Sequence, residues 1–217
     1  MSDVAAAMQH PRIARVARML AERPGVVMAG DGGATRAAVA LIMRLADDGD
    51  VEMLMIKRAA YAGDPWSGHF ALPGGRQNSA DASLEHTAVR ETLEETAVDL
   101  ATSGRLLGTL DDVRPRTPRL PPVTIRPFVF VTPGDVPIAT SDEVAEAFWI
   151  PLALLADPSA TGEATFTDRG VERTERSFQL GQRVIWGLTE RILRQFILYA
   201  SDAPDEHGAT RAAHVTG

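Results

Sequence analysis

Three glutamates and an arginine lie close together in the segment GGRQNSADASLEHTAVRETLEE, which runs from Gly74 to Glu95. Positions three and four apart share one face of a helix, so Glu91, Glu94 and Glu95 would bring three carboxylates within reach of one another. Such a cluster repels itself unless water or a cation offsets the charge. The sequence therefore allows two interpretations, an exposed acidic face or a site for a metal ion.

The double glycine ahead of this helix favours the metal site. Gly74 and Gly75 stand at the end of a predicted strand, where glycine permits a tight turn and close approach to the backbone. Clustered carboxylate oxygens are the ligands that Mg2+ prefers, and the ion would offset their repulsion while bridging to substrate phosphates. Cysteine is absent, which excludes disulfides, thiolate metal sites and a cysteine nucleophile.

The local pattern places these residues on a strand, a turn and a helix. His69 to Leu72 predicts a short strand that ends at Pro73 to Gly75, and Ala82 to Ala97 predicts the helix. Upstream, the apolar runs Arg36 to Leu45 and Val51 to Ile56 flank an aspartate-rich turn, which predicts a hairpin.

Further elements are predicted towards the C-terminus. Apolar residues at helical spacing predict a packed helix from Gln182 to Tyr199. Shorter apolar runs predict strands at Arg105 to Leu110, Thr124 to Val131 and Ala145 to Ile150, and a short helix at Leu152 to Leu155. Strands and helices do not alternate regularly, so the pattern favours an α+β or sandwich arrangement.

The chain divides into three parts. Residues 1–35 are predicted to form an N-terminal helix and a connector packed on the core, 36–200 the main domain, and 201–217 a disordered tail. Pro11 at a helix start, followed by apolar residues at helical spacing, predicts a docked amphipathic helix. The arginines of this segment also give it a faint resemblance to an organelle transit peptide. With the segment interpreted as a docked helix, a cytoplasmic location is the default expectation.

Composition narrows the classes of function. The 217 residues carry a formal net charge of -7 and a pI of about 5.2, which argues against a general nucleic-acid binder. The longest apolar run, Ala37 to Met43, is too short to span a bilayer, so no membrane partner is expected.

The acidic segment resembles the Nudix box. That motif runs glycine, five residues, glutamate, seven residues, Arg-Glu, an aliphatic residue, any residue, Glu-Glu, any residue, glycine and an aliphatic residue. Starting from Gly75, this chain has Asp81 at the first acidic position and then Arg90-Glu-Thr-Leu-Glu-Glu-Thr-Ala-Val. The match is strongest at Arg90 and the three glutamates, the most demanding part of the pattern.

The sequence departs from the motif at four points. Eight residues separate Asp81 from Arg90, aspartate replaces glutamate, Thr92 is less aliphatic than usual, and Ala97 stands where glycine is expected. The first two departures resemble the branch of the family that cleaves coenzyme A. A plain alternative for Asp81 is a helix N-cap, because a carboxylate there satisfies the free amides of the first turn.

Resemblance to that branch extends from about Ala37 to Phe196. The segments around Lys57-Arg58 and from Trp66 to Gly75 resemble the coenzyme A signature, although the family usually has histidine at the position of Trp66 and a glutamine or similar residue at that of His69. Each segment also has a structural interpretation: Lys57 and Arg58 as edge charges, and His69 as a hydrogen-bonded structural histidine.

Other candidates lie further along the chain. The proline-rich loop from Asp111 to Pro122 carries Arg116 among its arginines, whose forks match phosphate oxygens, or it is simply an exposed basic loop. Trp186 is predicted to pack in the core from the last helix. Glu143 and Glu146 are candidates for a late carboxylate that reaches the site.

The resemblance implies a Nudix fold, an α/β/α sandwich with a mixed sheet and a loop-helix-loop at the box. It implies that Glu91, Glu94 and Glu95 hold Mg2+ or Mn2+ and serve catalysis, while Arg90 ties the helix to an acidic partner such as Asp81. The implied substrate is a small nucleotide derivative, namely coenzyme A or an acyl derivative, with ADP-ribose, NADH or another dinucleotide as the alternative. A Nudix-like binding or regulatory module without turnover is the other alternative. Nudix relatives are often dimers, so the resemblance also allows a homodimer.

Overall fold

The computed structural model describes residues 4–29, 35–61, 67–115, 122–168 and 171–201. Two candidate substrate-binding residues, Trp66 and Arg116, lie outside the described residues, as does nearly all of the predicted tail.

A mixed sheet of seven strands forms the centre of the molecule. The strands are β1 (Thr35–Leu45), β2 (Val51–Arg58), β3 (Phe70–Ala71), β4 (Gly74–Arg76), β5 (Arg105–Thr109), β6 (Val123–Val131) and β7 (Val144–Pro151). Five of them lie in the order β3-β2-β1-β6-β5, with β4 also pairing with β1 and β7 with β2. β1 and β6 run parallel and the other pairs are antiparallel.

Six helices accompany the sheet in the described part of the chain, and none of them is long and apolar enough to cross a membrane. A short 3-10 turn, Pro158–Ala160, follows the fifth. The helices are α1 (Val4–Ala7), α2 (Pro11–Glu22), α3 (Leu84–Thr96), α4 (Leu100–Ser103), α5 (Leu152–Ala156) and α6 (Gly187–Ala200).

The two faces of the sheet bury different side chains of β1. Leu41 and Met43 point to the face covered by α2 and α6, whereas Ala40 and Ile42 point to the face covered by α3. This alternation follows from the period of two along a strand. The fold is therefore an α/β/α sandwich with a mixed sheet, as predicted.

The N-terminal helix packs on the core. Pro11 occupies its first turn and the side chain of His10 accepts a hydrogen bond from the Arg12 amide. Ile13, Val16 and Leu20 are buried in the larger core cluster. The helix α2 therefore contacts the core through the apolar side chains on one of its faces.

A second, antiparallel sheet was not predicted. It consists of β8 (Thr161–Asp168), β9 (Val171–Leu180) and β10 (Arg183–Trp186) in the order β10-β9-β8. The predicted start of the last helix at Gln182 is therefore wrong. Residues 183–186 pair with β9, and the helix begins only at Gly187, whose φ of 71° suits glycine at this turn.

The predicted strand from His69 to Leu72 is present as β3, and a further short strand, β4, follows where the strand was predicted to end. β3 pairs with the end of β2, whereas β4 pairs with β1. Gly74 has a φ of 150°, and a Cβ there would lie 2.2 Å from the carbonyl oxygen of Ala38. Only glycine fits this close approach, which brings the turn against β1.

Candidate active site

Helix α3 carries the three glutamates and has defined ends. The Ser83 side chain accepts a hydrogen bond from the His86 amide and caps the N-terminus, while Ala97 adopts the left-handed conformation after the last turn. Asp81 is therefore not the N-cap, because Ser83 fills that position and Asp81 faces Arg90 instead.

Asp81 is a fully satisfied buried carboxylate. Its side chain is 1% exposed and accepts two hydrogen bonds from the Arg90 guanidinium, at 2.9 Å each. The Thr87 hydroxyl and the Asn78 amide donate to it as well. The Arg90 bonds, above all, hold the pKa of Asp81 far below its usual value, and the same pair raises the pKa of Arg90.

Arg90 also orients the glutamates that follow it. One guanidinium nitrogen lies 2.9 Å from a carboxylate oxygen of Glu91 and 2.9 Å from one of Glu94. Another donates to the carbonyl of Arg76 at the end of β4. The arginine therefore joins the double-glycine strand, the loop before α3 and the acidic face of α3.

Each glycine of the turn lies against a different glutamate. The Gly74 amide donates to Glu95 at 2.8 Å. A Cβ on Gly75 would lie 2.4 Å from the carboxylate carbon of Glu91. The glycines thus lie directly against the carboxylates, so the turn and the acidic face of α3 form one site.

Glu95 is the most perturbed of the three glutamates. The residue is 4% exposed. Burial raises its pKa to about 7, the nearby carboxylates of Glu91 and Glu143 add to the rise, and the Gly74 amide and Arg58 oppose it. Burial also raises the pKa of Glu91, although Arg90 opposes that shift.

A cavity of about 500 Å3 opens in front of these side chains. It is lined by Glu91, Glu94, Glu95, Ser141, Asp142 and Glu143. The segment 141–143 precedes β7 and forms the opposite wall. Acidic groups from two distant parts of the sequence therefore surround one space.

Main-chain bonds hold this opposite wall in place. The Ser141 amide donates to the carbonyl of Glu95 at 3.3 Å, and the Ala59 amide donates to the carbonyl of Glu143 at 2.8 Å. The Tyr61 hydroxyl donates to the carbonyl of Asp142 at 3.0 Å. The sequence offered no local signal for Ser141, Asp142 or Tyr61, because their link to α3 arises only through the fold.

The chemistry of the donors fits a hard divalent cation. The cavity offers carboxylate oxygen donors with an excess of negative charge, which is the set of donors that a hard cation prefers. In the present arrangement Arg90 engages Glu91 and Glu94. Within the described residues, no three His, Asp or Glu side chains are arranged to hold one ion together. Glu94, at 57% exposed, can reorient with little loss of packing.

The remaining predicted residues lie in different places. The Lys57 ammonium is 5.6 Å from the centre of the Phe70 ring, and the Arg58 amide donates to the carbonyl of His69. Glu143 lines the cavity, whereas Glu146 pairs with Arg183 at 2.6 Å and does not line it.

Trp186 does not lie on the last helix, contrary to prediction. It ends β10, where its ring contacts those of His69 and Phe166.

A family model and a curated relative both match the chain to the same family. Residues 34–170 match the model of the NUDIX domain. Over 153 residues the chain is 31% identical to the Nudix hydrolase NudL of Cronobacter sakazakii, a match that spans 70% of this chain and 77% of that protein. A protein of Schizosaccharomyces pombe is 38% identical over 110 residues, which is 49% of this chain but only 33% of that protein.

Among solved structures, a MutT/nudix family protein from Enterococcus faecalis aligns with a TM-score of 0.49 at 20% identity. The alignment covers 80% of this chain and 62% of that one.

Proposed function

The chain belongs to the Nudix hydrolase family, and from that premise we propose that it is a metal-dependent hydrolase of the pyrophosphate linkage in a nucleoside diphosphate derivative. The observation that carries the proposal is the cavity in which Glu91, Glu94 and Glu95 face Glu143 beside the double-glycine turn. A merely solvated acidic face would not bury Glu95 to 4% exposure.

Glu91, Glu94 and Glu95 would hold Mg2+ or Mn2+. A bound divalent ion supplies two effects, stabilisation of the charge that develops on phosphate oxygens and a lower pKa for a bound water. The excess of carboxylates also explains why a diphosphate, itself anionic, would enter this cavity only together with cations.

The protein's own side chains would position the reaction and receive its proton. Arg90, fixed by Asp81, orients Glu91 and Glu94 from the side of the turn. Glu143 faces the three glutamates from the opposite wall, so it is our candidate for the base that takes a proton from the attacking water. Water then adds to one phosphorus as the bridging oxygen leaves.

For the substrate we propose coenzyme A or an acyl derivative, with 3',5'-ADP and the corresponding 4'-phosphopantetheine as products. The support is the resemblance of the sequence around Lys57 and Arg58 and from Trp66 to Gly75, together with the spacing between Asp81 and Arg90, to the coenzyme A branch. Because Trp66 and His69 depart from that signature, ADP-ribose, NADH or another dinucleotide is the alternative substrate. We further propose that residues 36–200 form the hydrolase domain.

The test is identification of products by mass spectrometry. Purified protein and Mg2+ would be incubated with an equimolar mixture of coenzyme A, ADP-ribose, NADH and a dinucleoside polyphosphate. We expect selective formation of 3',5'-ADP and phosphopantetheine. Selective cleavage of another component would contradict the proposed substrate, and no cleavage with Mg2+ or Mn2+ would contradict the proposed reaction.

A further inference from the structure

Three aromatic side chains meet where the small sheet lies beside the start of β3. The ring centre of Trp186, at the end of β10, lies 4.0 Å from that of Phe166 on β8 and 4.5 Å from that of His69 just before β3. The Phe166 and Trp186 rings are inclined by only 30°. All three residues are partly exposed, and we call them the aromatic stack.

The aromatic stack differs from the aromatic residues that fill the core. Phe178 and Phe196 are 1% and 0% exposed and belong to the larger core cluster. Phe166 instead lies on β8, where residues 161–166 alternate between exposed and partly exposed positions. A stack of flat rings that reaches solvent offers a planar surface to a flat ligand.

A short path connects the aromatic stack to the acidic cavity. The His69 carbonyl accepts a hydrogen bond from the Arg58 amide at 2.9 Å. Arg58 is near enough to Glu95 for its charge to favour the ionised carboxylate, and the next residue, Ala59, is bonded to the carbonyl of Glu143. The end of β2 therefore separates the two features by only a few residues.

We propose that Phe166 and Trp186 form a stacking surface for the purine base of the substrate, with His69 at its edge towards the cavity. This inference rests on the proposed function, since the substrates considered there share an adenosine diphosphate unit. The aromatic stack and the acidic cavity are both bonded to the end of β2, so one ligand would place its base on the stack and its diphosphate beside Glu95. Stacking on an aromatic side chain is tolerant of sequence and depends on the flat face of the base.

The test compares two ligands that differ by the base alone, AMP and ribose 5-phosphate. Neither contains a diphosphate, so binding can be measured by calorimetry without turnover. Phe166→Leu should weaken AMP binding by about five- to a hundred-fold, the range for loss of one base–aromatic stack, and leave ribose 5-phosphate unchanged. In turnover, KM should rise while kcat stays within about twofold.

Two further variants keep the proposal testable if Phe166→Leu folds poorly. Trp186→Phe keeps a ring and should retain AMP binding, whereas Trp186→Leu should lose it. Phe148→Leu is the matched control, because Phe148 is a partly exposed ring on β7 that contacts Phe70 and Arg183 rather than the aromatic stack.

Two results would overturn the proposal: AMP affinity unchanged in Phe166→Leu and Trp186→Leu, or an equal loss for AMP and ribose 5-phosphate. Because AMP binding is measured without hydrolysis, either result is distinguishable from failure of the proposed reaction.

Discussion

The two ends of the α3 region bury carboxylates in opposite ways. Asp81, at the N-terminal side, accepts hydrogen bonds from Arg90, Thr87 and Asn78, and its pKa is lowered. Glu95, at the C-terminal side, has the Gly74 amide as its nearest donor and faces other carboxylates, and its pKa is raised to about 7. At Asp81 the hydrogen bonds from Arg90 outweigh the effect of burial on the pKa, whereas at Glu95 burial is the largest cause of the shift and the partners do not offset it.

This difference separates the group that stabilises the fold from the group available for chemistry. A paired carboxylate stabilises the folded state when it is ionised, whereas a buried carboxylate among like charges destabilises it. Strain of the second kind persists where a ligand relieves it. We therefore expect substitutions at Asp81 and Glu95 to change stability with opposite signs.

The largest expected effect is on activity in Glu95→Gln. The amide keeps the shape but removes the charge, and turnover should fall by more than about a hundred-fold, beyond the cost of losing a residue that only supports a metal ligand. Initial rates at saturating Mg2+ measure this. Glu190→Gln is the matched control, because Glu190 is 3% exposed but pairs with Arg194 on α6; equal losses in both variants would contradict the assignment.

Metal-free Glu95→Gln should also be more stable than the parent at high pH. The folded pKa of Glu95, about 7, lies above the unfolded value of about 4.3, so its ionisation costs stability increasingly from pH 4.3 to 7. We expect a gain of about 3.5 kcal/mol at pH 8 that disappears below pH 4, since each unit of difference between the two pKa values corresponds to about 1.4 kcal/mol. Urea unfolding across this range, in the presence of a chelator, provides the measurement.

Asp81→Asn should instead destabilise the protein by about 3 kcal/mol at pH 7, the cost of removing one partner of a buried pair. Because the folded pKa of Asp81 lies below the unfolded value of about 3.9, its contribution is present above that value and is lost as the pH falls towards the folded pKa. The gap between variant and parent should therefore narrow below about pH 4.

Asp112→Asn is the matched control for stability, since Asp112 is buried and bonded twice to Arg126. Both variants should lose stability, but only Asp81→Asn should lose activity as well, through the orientation of Glu91 and Glu94 by Arg90. A pH-independent gap for Asp81→Asn would refute the pairing argument.

Gly75→Ala should lower kcat by about tenfold, because its Cβ displaces the Glu91 carboxylate. Gly162→Ala provides the comparison, since there the added Cβ meets only the flexible side chain of Gln179. Rates and melting temperatures of both variants separate the two effects. Normal turnover in Gly75→Ala would show that the position of Glu91 is not critical.

The smallest effect is expected for Tyr61→Phe, which removes the hydrogen bond to the carbonyl of Asp142. We expect kcat to fall by about fivefold, since one neutral hydrogen bond contributes about 1 kcal/mol. Tyr199→Phe loses a similar bond, to the carbonyl of Arg23 and remote from the cavity, and should leave kcat unchanged. Equal kcat in both variants would show that the hydrogen bond from Tyr61 does not support the wall formed by residues 141–143.

The sequence predicted the elements whose apolar pattern is strong. The hairpin of β1 and β2 and helix α3 lie within two residues of their predicted bounds, and α2 begins at Pro11 as predicted, because their buried positions follow a regular period. The small sheet was missed since its strands are mostly exposed and polar. Trp186 was assigned to the last helix because Ile185 extends the apolar spacing of α6 upstream through β10.

The sequence predicted the site residues that are close together in the chain and missed those that only the fold brings together. The Nudix box lies on one helix and one turn, so its residues are adjacent in both sequence and space. The wall formed by Ser141, Asp142 and Glu143 depends on long-range main-chain bonds to Glu95 and Ala59, which leave no local pattern. Phe166 meets Trp186 only because β8 and β10 join the same small sheet.

Binding of Mn2+ to the parent protein, Glu95→Gln and Glu190→Gln, followed by electron paramagnetic resonance, tests the central claim most directly. If Glu95, at the C-terminal end of α3, helps to hold the cation, the parent and Glu190→Gln should bind Mn2+ alike. Glu95→Gln should then bind it at least about tenfold more weakly. Equal binding by all three proteins would contradict the claim that the buried carboxylate of Glu95 is there to hold a metal ion.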